Sequence, residues 1–215
     1  KNMIGASLDG WLTTGRFNTD FQNKLAKFLG VKKLITVNSG SSANLIAFSS
    51  LTSHLHKERA IRAGDEVITV AAGFPTTVNP IIQNSAIPVF VDVKSSAYNI
   101  DENLIEEAIT KKTKAIMPVH WTGRVCKMDK ILKIAKKYNL IVIEDAAQSM
   151  GAYYKRRHAG TFGKISAFST HPLKNLNSLG DGGFIITNEK KLYDKIKLYR
   201  NHGLKGRDNV EIIGV

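Results

Sequence analysis

The chain has 215 residues, of which 43% are hydrophobic and 23% charged, a composition that suits one globular domain of substantial size. No stretch approaches the roughly 20 consecutive apolar residues of a membrane-spanning helix. The single cysteine, Cys126, excludes an internal disulfide and a cysteine-based metal cluster. The first ten residues lack the apolar core of a signal peptide, so we expect a cytoplasmic protein without a membrane partner.

The chain carries a formal net charge of +13 and has a sequence pI near 9.8. Such a balance occurs in nucleic-acid binders and in proteins with phosphorylated ligands. The lysines, however, are scattered among apolar residues, at 32–33, 111–114, 130–137 and 190–191. We therefore expect an ordinary solvated basic surface. Attraction of anionic substrates is the second interpretation, and nucleic-acid binding is the third.

Helix-like and strand-like segments alternate along the chain. The spacing of apolar residues predicts helices over 18–29, 43–51, 76–83, 103–111, 127–137 and 190–199. Short apolar runs predict strands over 34–37, 66–70, 88–93, 115–119, 140–144, 167–169 and 184–187. This alternation is typical of βαβ units. The sequence therefore predicts an α/β fold, with a three-layer, mostly parallel sheet and helices on both faces.

Polar loops follow several of these strands, and ligands of open parallel sheets gather at the carboxyl ends of strands. The first loop, residues 38–42, reads Asn-Ser-Gly-Ser-Ser before a helix. Gly40 lets the backbone approach an anion closely. The helix N-terminus and the hydroxyls of Ser41 and Ser42 would then suit a phosphate. The alternative is an ordinary helix N-cap with a glycine turn.

The second loop, residues 144–148, begins with two carboxylates at the end of an apolar run. A carboxylate at the end of a buried strand is costly unless something pairs with it. Asp145 could bind a metal, act as a base or hold a protonated heterocycle. A helix N-cap or a structural ion pair is the alternative. Since no second cluster of metal ligands is evident, we expect no metal site.

The third loop places Lys174 between a strand that ends near Ser169 and the glycine-rich turn at 180–183. A lysine is usually solvated, but one held in such a site can serve as a Schiff-base nucleophile. His120 and His171 also follow predicted strands. Each could face a substrate or could be a structural hydrogen-bonding group.

Taken together, these segments resemble the DegT/DnrJ/EryC1/StrS family of sugar aminotransferases, which have the fold type I architecture of pyridoxal 5′-phosphate (PLP) enzymes. The resemblance covers almost the whole chain. Its segments are residues 12–17, 38–42, 64–68, 73–77, 88–92, 144–148, 151–152, 168–174, 180–183 and 200–203. One such segment would be weak, but their order and spacing together are specific.

The resemblance implies catalytic roles for two residues. Lys174 would form the Schiff base with PLP and later move a proton between substrate and cofactor. Asp145 would pair with the nitrogen of the cofactor ring and keep it protonated, so that the ring can accept electrons.

The resemblance also implies a set of cofactor contacts. Gln148 would donate near the phenolic oxygen of PLP, and Phe74 would stack on the ring. The phosphate would be held by Gly40, Ser41, Ser42 and Ser169. His120 and His171 remain candidate substrate residues.

Lys174 also separates two chemistries within the family. The sugar 3-dehydratases have histidine in place of this lysine. Residues 10–17 and 70–77 look like that branch, whereas residues 146–148 and 171–174 look like the aminotransferases. A histidine cannot form the Schiff base, so we expect transamination from an amino acid, L-glutamate, to a nucleotide-linked keto sugar used for cell-surface polysaccharides. Dehydration of such a sugar is the alternative.

Family members are considerably longer than this chain and carry a C-terminal small domain. We therefore expect residues 1–215 to form the PLP-binding large domain of a longer protein. The resemblance further implies a homodimer whose active sites lie at the subunit interface.

Overall fold

The computed structural model describes residues 1–11 and 13–214, without the side chains of residues 54, 55 and 57. Its α-helices are α1 (Asn2–Leu8), α2 (Arg16–Leu29), α3 (Gly40–Ser49), α4 (Pro75–Gln83), α5 (Met128–Lys137) and α6 (Lys190–Arg200). Its strands are β1 (Lys33–Val37), β2 (Glu66–Val70), β3 (Ile87–Val91), β4 (Thr113–Met117), β5 (Ile141–Asp145), β6 (Tyr153–Tyr154), β7 (Arg157–His158), β8 (Ile165–Ser169) and β9 (Gly183–Thr187). Within these ranges, no helix combines the length and apolar character needed to cross a bilayer.

Seven strands form one sheet in the order β1–β9–β8–β5–β4–β2–β3. β9 runs antiparallel to both of its neighbours, and the remaining pairs are parallel. The other six strands therefore point the same way, and their carboxyl ends meet at one edge of the sheet. β6 and β7 form a separate hairpin.

Helices cover both faces of this sheet. Phe48 of α3 and Ile196 of α6 belong to one buried cluster, and Ile131 of α5 belongs to another. Neighbouring residues of β5 divide between the clusters, since Ile143 lies in the first and Val142 in the second, as the two-residue period of a strand requires. This arrangement confirms the predicted three-layer α/β fold.

The helix boundaries follow from local sequence. α2 ends at Gly30, whose left-handed φ of +67° suits a residue without a Cβ. Leu25 and Leu29 lie one turn apart on its buried side and pack against a cluster that contains Phe168 and Phe184. Burial of two leucines stabilises this packing by about 3–6 kcal/mol, before the loss of chain entropy is counted.

The prediction of a helix over residues 103–111 was wrong. This segment forms turns around the short 3₁₀ helix Glu106–Ala108. Side chains compete for its backbone: the N–H of Asn103 donates to the Asp101 carboxylate, and that of Thr110 donates to the hydroxyl of Thr113. The helix Asn2–Leu8 and the hairpin of β6 and β7 were not predicted from the sequence.

Gly160 occupies a position that we expect to reject any side chain. Its φ is +81°, and a Cβ there would overlap the ring of Phe168. We expect Gly160→Ala to lower the free energy of unfolding by about 3 kcal/mol, from overpacking together with left-handed strain. Gly64→Ala is the control, because Gly64 has a similar φ and open space around it. Equal losses in urea unfolding of the two variants would contradict the overpacking argument.

Candidate active site

A cavity of about 400 Å³ opens at the sheet edge where the parallel strands end. It is lined by loops that follow β1, β2, β4, β5 and β8. Eight of the ten predicted site residues line it: Gly40, Ser41, Phe74, Asp145, Gln148, Ser169, His171 and Lys174. The sheet therefore brings together residues that are up to 134 positions apart, from Gly40 to Lys174.

The floor of the cavity includes the N-terminus of α3. The Ser39 side chain caps this helix by accepting from the N–H of Ser42 at 3.0 Å. The N–H groups of Gly40 and Ser41 belong to the first turn, which has no intrahelical acceptors for them. Gly40 is required here because a Cβ would lie 2.6 Å from the Cβ of Ser169. These features suit this end of the cavity to an anion.

The Ser42 side chain lies outside the cavity that Gly40 and Ser41 line. Its side chain lines an adjacent cavity rather than this one, and its N–H is used by the Ser39 cap. Successive side chains of an α-helix point about 100° apart, so the side chains of Ser41 and Ser42 face different cavities. Ser42 was predicted to hold a phosphate together with Gly40 and Ser41, but its side chain lies outside the lining of their cavity.

Asp145 ends β5 and is only 3% exposed. Its Oδ2 accepts from Asn44 Nδ2 at 2.8 Å and from the hydroxyl of Thr77 at 2.6 Å. Its Oδ1 accepts from the N–H of Ala147 at 3.1 Å. All three donors are neutral. In the described part of the chain, no lysine, arginine or histidine forms an ion pair with Asp145, so its buried carboxyl group lines the cavity without a paired cation.

Lys174 lies on the loop between β8 and β9. The N–H of Thr170 donates to the carbonyl of Gly182, and the N–H of Lys174 donates to that of His171, both at 2.8 Å. These bonds hold the loop at its base and shape the turn that carries the lysine. The Lys174 side chain is half-buried and lines the cavity.

His171 also lines the cavity, where it could face a substrate, the first of the two roles considered for it. Its Nδ1 accepts from the N–H of Leu173 at 3.2 Å. The proton of the neutral ring is therefore assigned to Nε2, which lies 3.9 Å from a carboxylate oxygen of Asp181. Asp181 lines the same cavity but was not among the predicted site residues.

Gln148 and Phe74 complete the walls. The Gln148 Oε1 accepts from the N–H of Thr122 at 2.7 Å, which leaves the amide NH₂ as the donor end of this side chain. Phe74 caps the start of α4, is largely exposed and lines the cavity together with Trp121. Trp121 also packs against a buried cluster.

His120 is a structural hydrogen-bonding residue, the second of the two roles considered for it. Its ring lies in the core, outside the cavity lining. Its Nε2 lies 2.8 Å from a carboxylate oxygen of Glu144, and its Nδ1 accepts from the N–H of Cys126. Glu144 also accepts from the N–H groups of Gly160, Phe162 and Gly163. Burial raises the pKa of Glu144, but these donors outweigh it and lower the pKa below 4.5.

The residues around Asp145 were the main omission of the sequence analysis. Asn44 and Thr77 are both buried, and both belong to helices that were predicted. A signal was present for Asn44, which is a polar residue inside an apolar helical run. Thr77 gave no such signal, since threonine is common in the first turn of a helix.

The chain matches a family model over residues 1–214, that of the DegT/DnrJ/EryC1/StrS aminotransferase family. It is 52% identical over 201 residues to the lipopolysaccharide biosynthesis protein RfbH of Salmonella typhimurium, covering 94% of this chain and 46% of that protein. It is 42% identical to the dTDP-4-dehydro-2,6-dideoxy-D-glucose 3-dehydratase of Saccharopolyspora spinosa, covering 94% of this chain and 43% of that enzyme.

The fold matches solved structures equally well. The GDP-4-keto-6-deoxy-D-mannose-3-dehydratase of E. coli, solved with bound hydrated PLP, superposes with a TM-score of 0.87 at 34% identity. That match covers 93% of this chain and 51% of the E. coli chain. The chain thus spans about half the length of the proteins it matches. Because the family model covers nearly every residue, the chain belongs to the DegT/DnrJ/EryC1/StrS aminotransferase family.

Proposed function

We propose that this chain is the cofactor-binding large domain of a PLP-dependent aminotransferase. Its reaction moves an amino group from an amino acid, L-glutamate, to a nucleotide-linked keto sugar for cell-surface polysaccharide or amino-sugar biosynthesis. The observation that carries this proposal is the placement of Lys174 and the uncompensated carboxylate of Asp145 in one cavity with an anion-binding helix end.

The residues of the cavity fit PLP at three points. The N–H groups of Gly40 and Ser41 and the Ser169 hydroxyl suit a phosphate. Asp145 is a buried anion without a cation, as a protonated ring nitrogen would require. Lys174 supplies a primary amine. A solved relative that contains PLP supports the same assignment.

PLP, when bound, supplies an electron sink for negative charge at the carbon that carries the transferred amine. The protein supplies the rest. Asp145 would hold the proton on the ring nitrogen, and the Gln148 amide would donate to the phenolic oxygen. Phe74 would cover one face of the ring and exclude water from it. Lys174 would take the proton from the substrate carbon and return it as a general base and acid.

Dehydration of a nucleotide-linked keto sugar is the second candidate. Two of the relatives described above are named as 3-dehydratases, and both match this chain closely. Lys174 favours transamination, because a lysine amine can hold the cofactor covalently whereas an imidazole cannot. Incubation of the full-length protein with keto sugar and L-glutamate distinguishes them: a stable amino sugar supports transamination, and loss of water at sugar C3 without such a product supports dehydration.

We also propose a cytoplasmic homodimer with active sites shared between subunits. Two large apolar side chains that line the cavity, Phe74 and Leu173, are exposed. A partner subunit and further domains of a longer protein would cover such side chains.

Borohydride reduction of the full-length protein tests the proposal. We expect visible absorption of bound PLP before reduction and, afterwards, a peptide in which Lys174 carries the cofactor, as read by mass spectrometry. Lys174→Ala is the matched control and should show no modified peptide. Cofactor fixed on another lysine would overturn the assignment of Lys174.

A further inference from the structure

Two side chains from different helices converge on one oxygen of Asp145. Asn44 lies in the second turn of α3 and Thr77 in the first turn of α4, and these helices pack against each other. Both donate to Oδ2, at 2.8 and 2.6 Å. Each is about 1% exposed, so neither bond competes with bulk water.

Asn44 is held in this orientation at a cost. Its amide oxygen is buried and has no hydrogen-bond partner among the described residues. Turning the amide over would place that oxygen against the carboxylate of Asp145 and would replace an attraction with a repulsion. The structure therefore keeps a donor on Asp145 although an acceptor stays unpaired, an arrangement that a purely structural position would avoid.

The donors affect where a proton resides between Asp145 and a basic ring nitrogen. The proton can reside on the ring nitrogen, which leaves a carboxylate and a positively charged ring, or on Asp145, which leaves two neutral groups. Burial away from water disfavours the charged pair, so the neutral pair competes with it. Hydrogen bonds to the carboxylate stabilise its charged form. Two neutral donors on one oxygen thus favour the charged pair without adding a cation that would repel the ring.

We propose that Asn44 and Thr77 are positioning residues that keep the proton on the cofactor ring nitrogen rather than on Asp145. The inference rests on the proposed function. It assigns to α3 a role at each end of the cofactor: its first turn holds the phosphate, and its second turn sets the charge of the ring.

The test uses the full-length protein loaded with PLP labelled with ¹⁵N in the ring. The NMR shift of that nitrogen distinguishes a protonated from an unprotonated ring directly. We expect the wild type to show the protonated signal. Thr77→Val and Asn44→Leu, which keep size and remove a donor, should move the signal toward the unprotonated value and weaken PLP binding by about tenfold.

Two controls separate this role from a structural one. Thr77→Ser keeps the hydroxyl and should restore the wild-type signal. Thr69→Val removes a buried hydroxyl that bonds to the carbonyl of Met117 away from the cavity, and it should leave the signal unchanged even if stability falls.

The outcomes distinguish the two proposals. A protonated signal that persists in both Thr77→Val and Asn44→Leu would overturn this inference and leave the proposed function standing. Failure of the wild type to bind PLP would overturn both. If one of the two variants does not fold, the other decides, because the two donors belong to different helices.

Discussion

Asp145→Asn is expected to lower the turnover of the full-length protein in the proposed aminotransferase reaction by about 30- to 5000-fold. Removal of one partner of a buried charge pair costs about 2–5 kcal/mol, and 1.36 kcal/mol is a factor of ten. Asparagine keeps the shape of the side chain and removes the charge. The donors around Asp145 would then meet a neutral group, and nothing would hold a proton on the ring nitrogen.

Steady-state rates and the visible spectrum of the bound cofactor measure this effect together. Asp181→Asn is the matched control, because it makes the same change on the wall of the same cavity. The Asp181 side chain is 64% exposed, so we expect a loss of less than about fivefold. Comparable losses in the two variants would show that charge anywhere in the cavity suffices and that the position of Asp145 is not special.

Glu144→Ala is expected to lower the free energy of unfolding by about 3–5 kcal/mol, because it leaves several buried donors without an acceptor. These donors are the His120 ring and the N–H groups of Gly160, Phe162 and Gly163. Urea unfolding measures the loss. Glu106→Ala is the control, since Glu106 forms an exposed ion pair with Lys137 and should contribute less than about 1 kcal/mol.

The Glu144 carboxylate also makes the free energy of unfolding depend on pH, in a direction that follows from its pKa. The pKa of Glu144 in the folded protein is lowered from 4.5 by its donors, despite burial. Its contribution is therefore fully present above pH 4.5 and is lost as the pH falls through the lowered value. We expect Glu144→Gln to flatten the acid limb of the stability curve. An unchanged acid limb in that variant would assign the effect to other carboxylates.

The fold could be predicted from the sequence to a large extent because it depends on local periodicity. Every strand of the main sheet was anticipated to within two residues at its ends, and the loops after β1, β5 and β8 were recognised as site loops. The position of most candidate site residues could be predicted as well, because parallel strands bring their carboxyl ends together whatever the details of their packing.

The remainder depends on contacts that periodicity does not encode. Whether His120 faces a ligand or the core is decided by Glu144, which is 24 residues away, and by the turn at Gly160. The segment 103–111 carries a helical pattern, but side-chain bonds to its own backbone compete with the helix. The Asn44 and Thr77 pair is visible only once two helices are placed beside Asp145.

The order of strands also bears on how the site is made during synthesis. Among the described strands, β1 pairs only with β9, so Lys33 meets Thr187 although the two are 154 positions apart. The turn proposed to hold the cofactor phosphate directly follows β1, and β9 is synthesised after the other described strands of this sheet. Pairing of strands that are far apart in sequence is slow, and strand edges that are still unpaired are prone to aggregation. Within the described chain, we therefore expect this side of the cavity to be completed only when β9 joins β1 to β8.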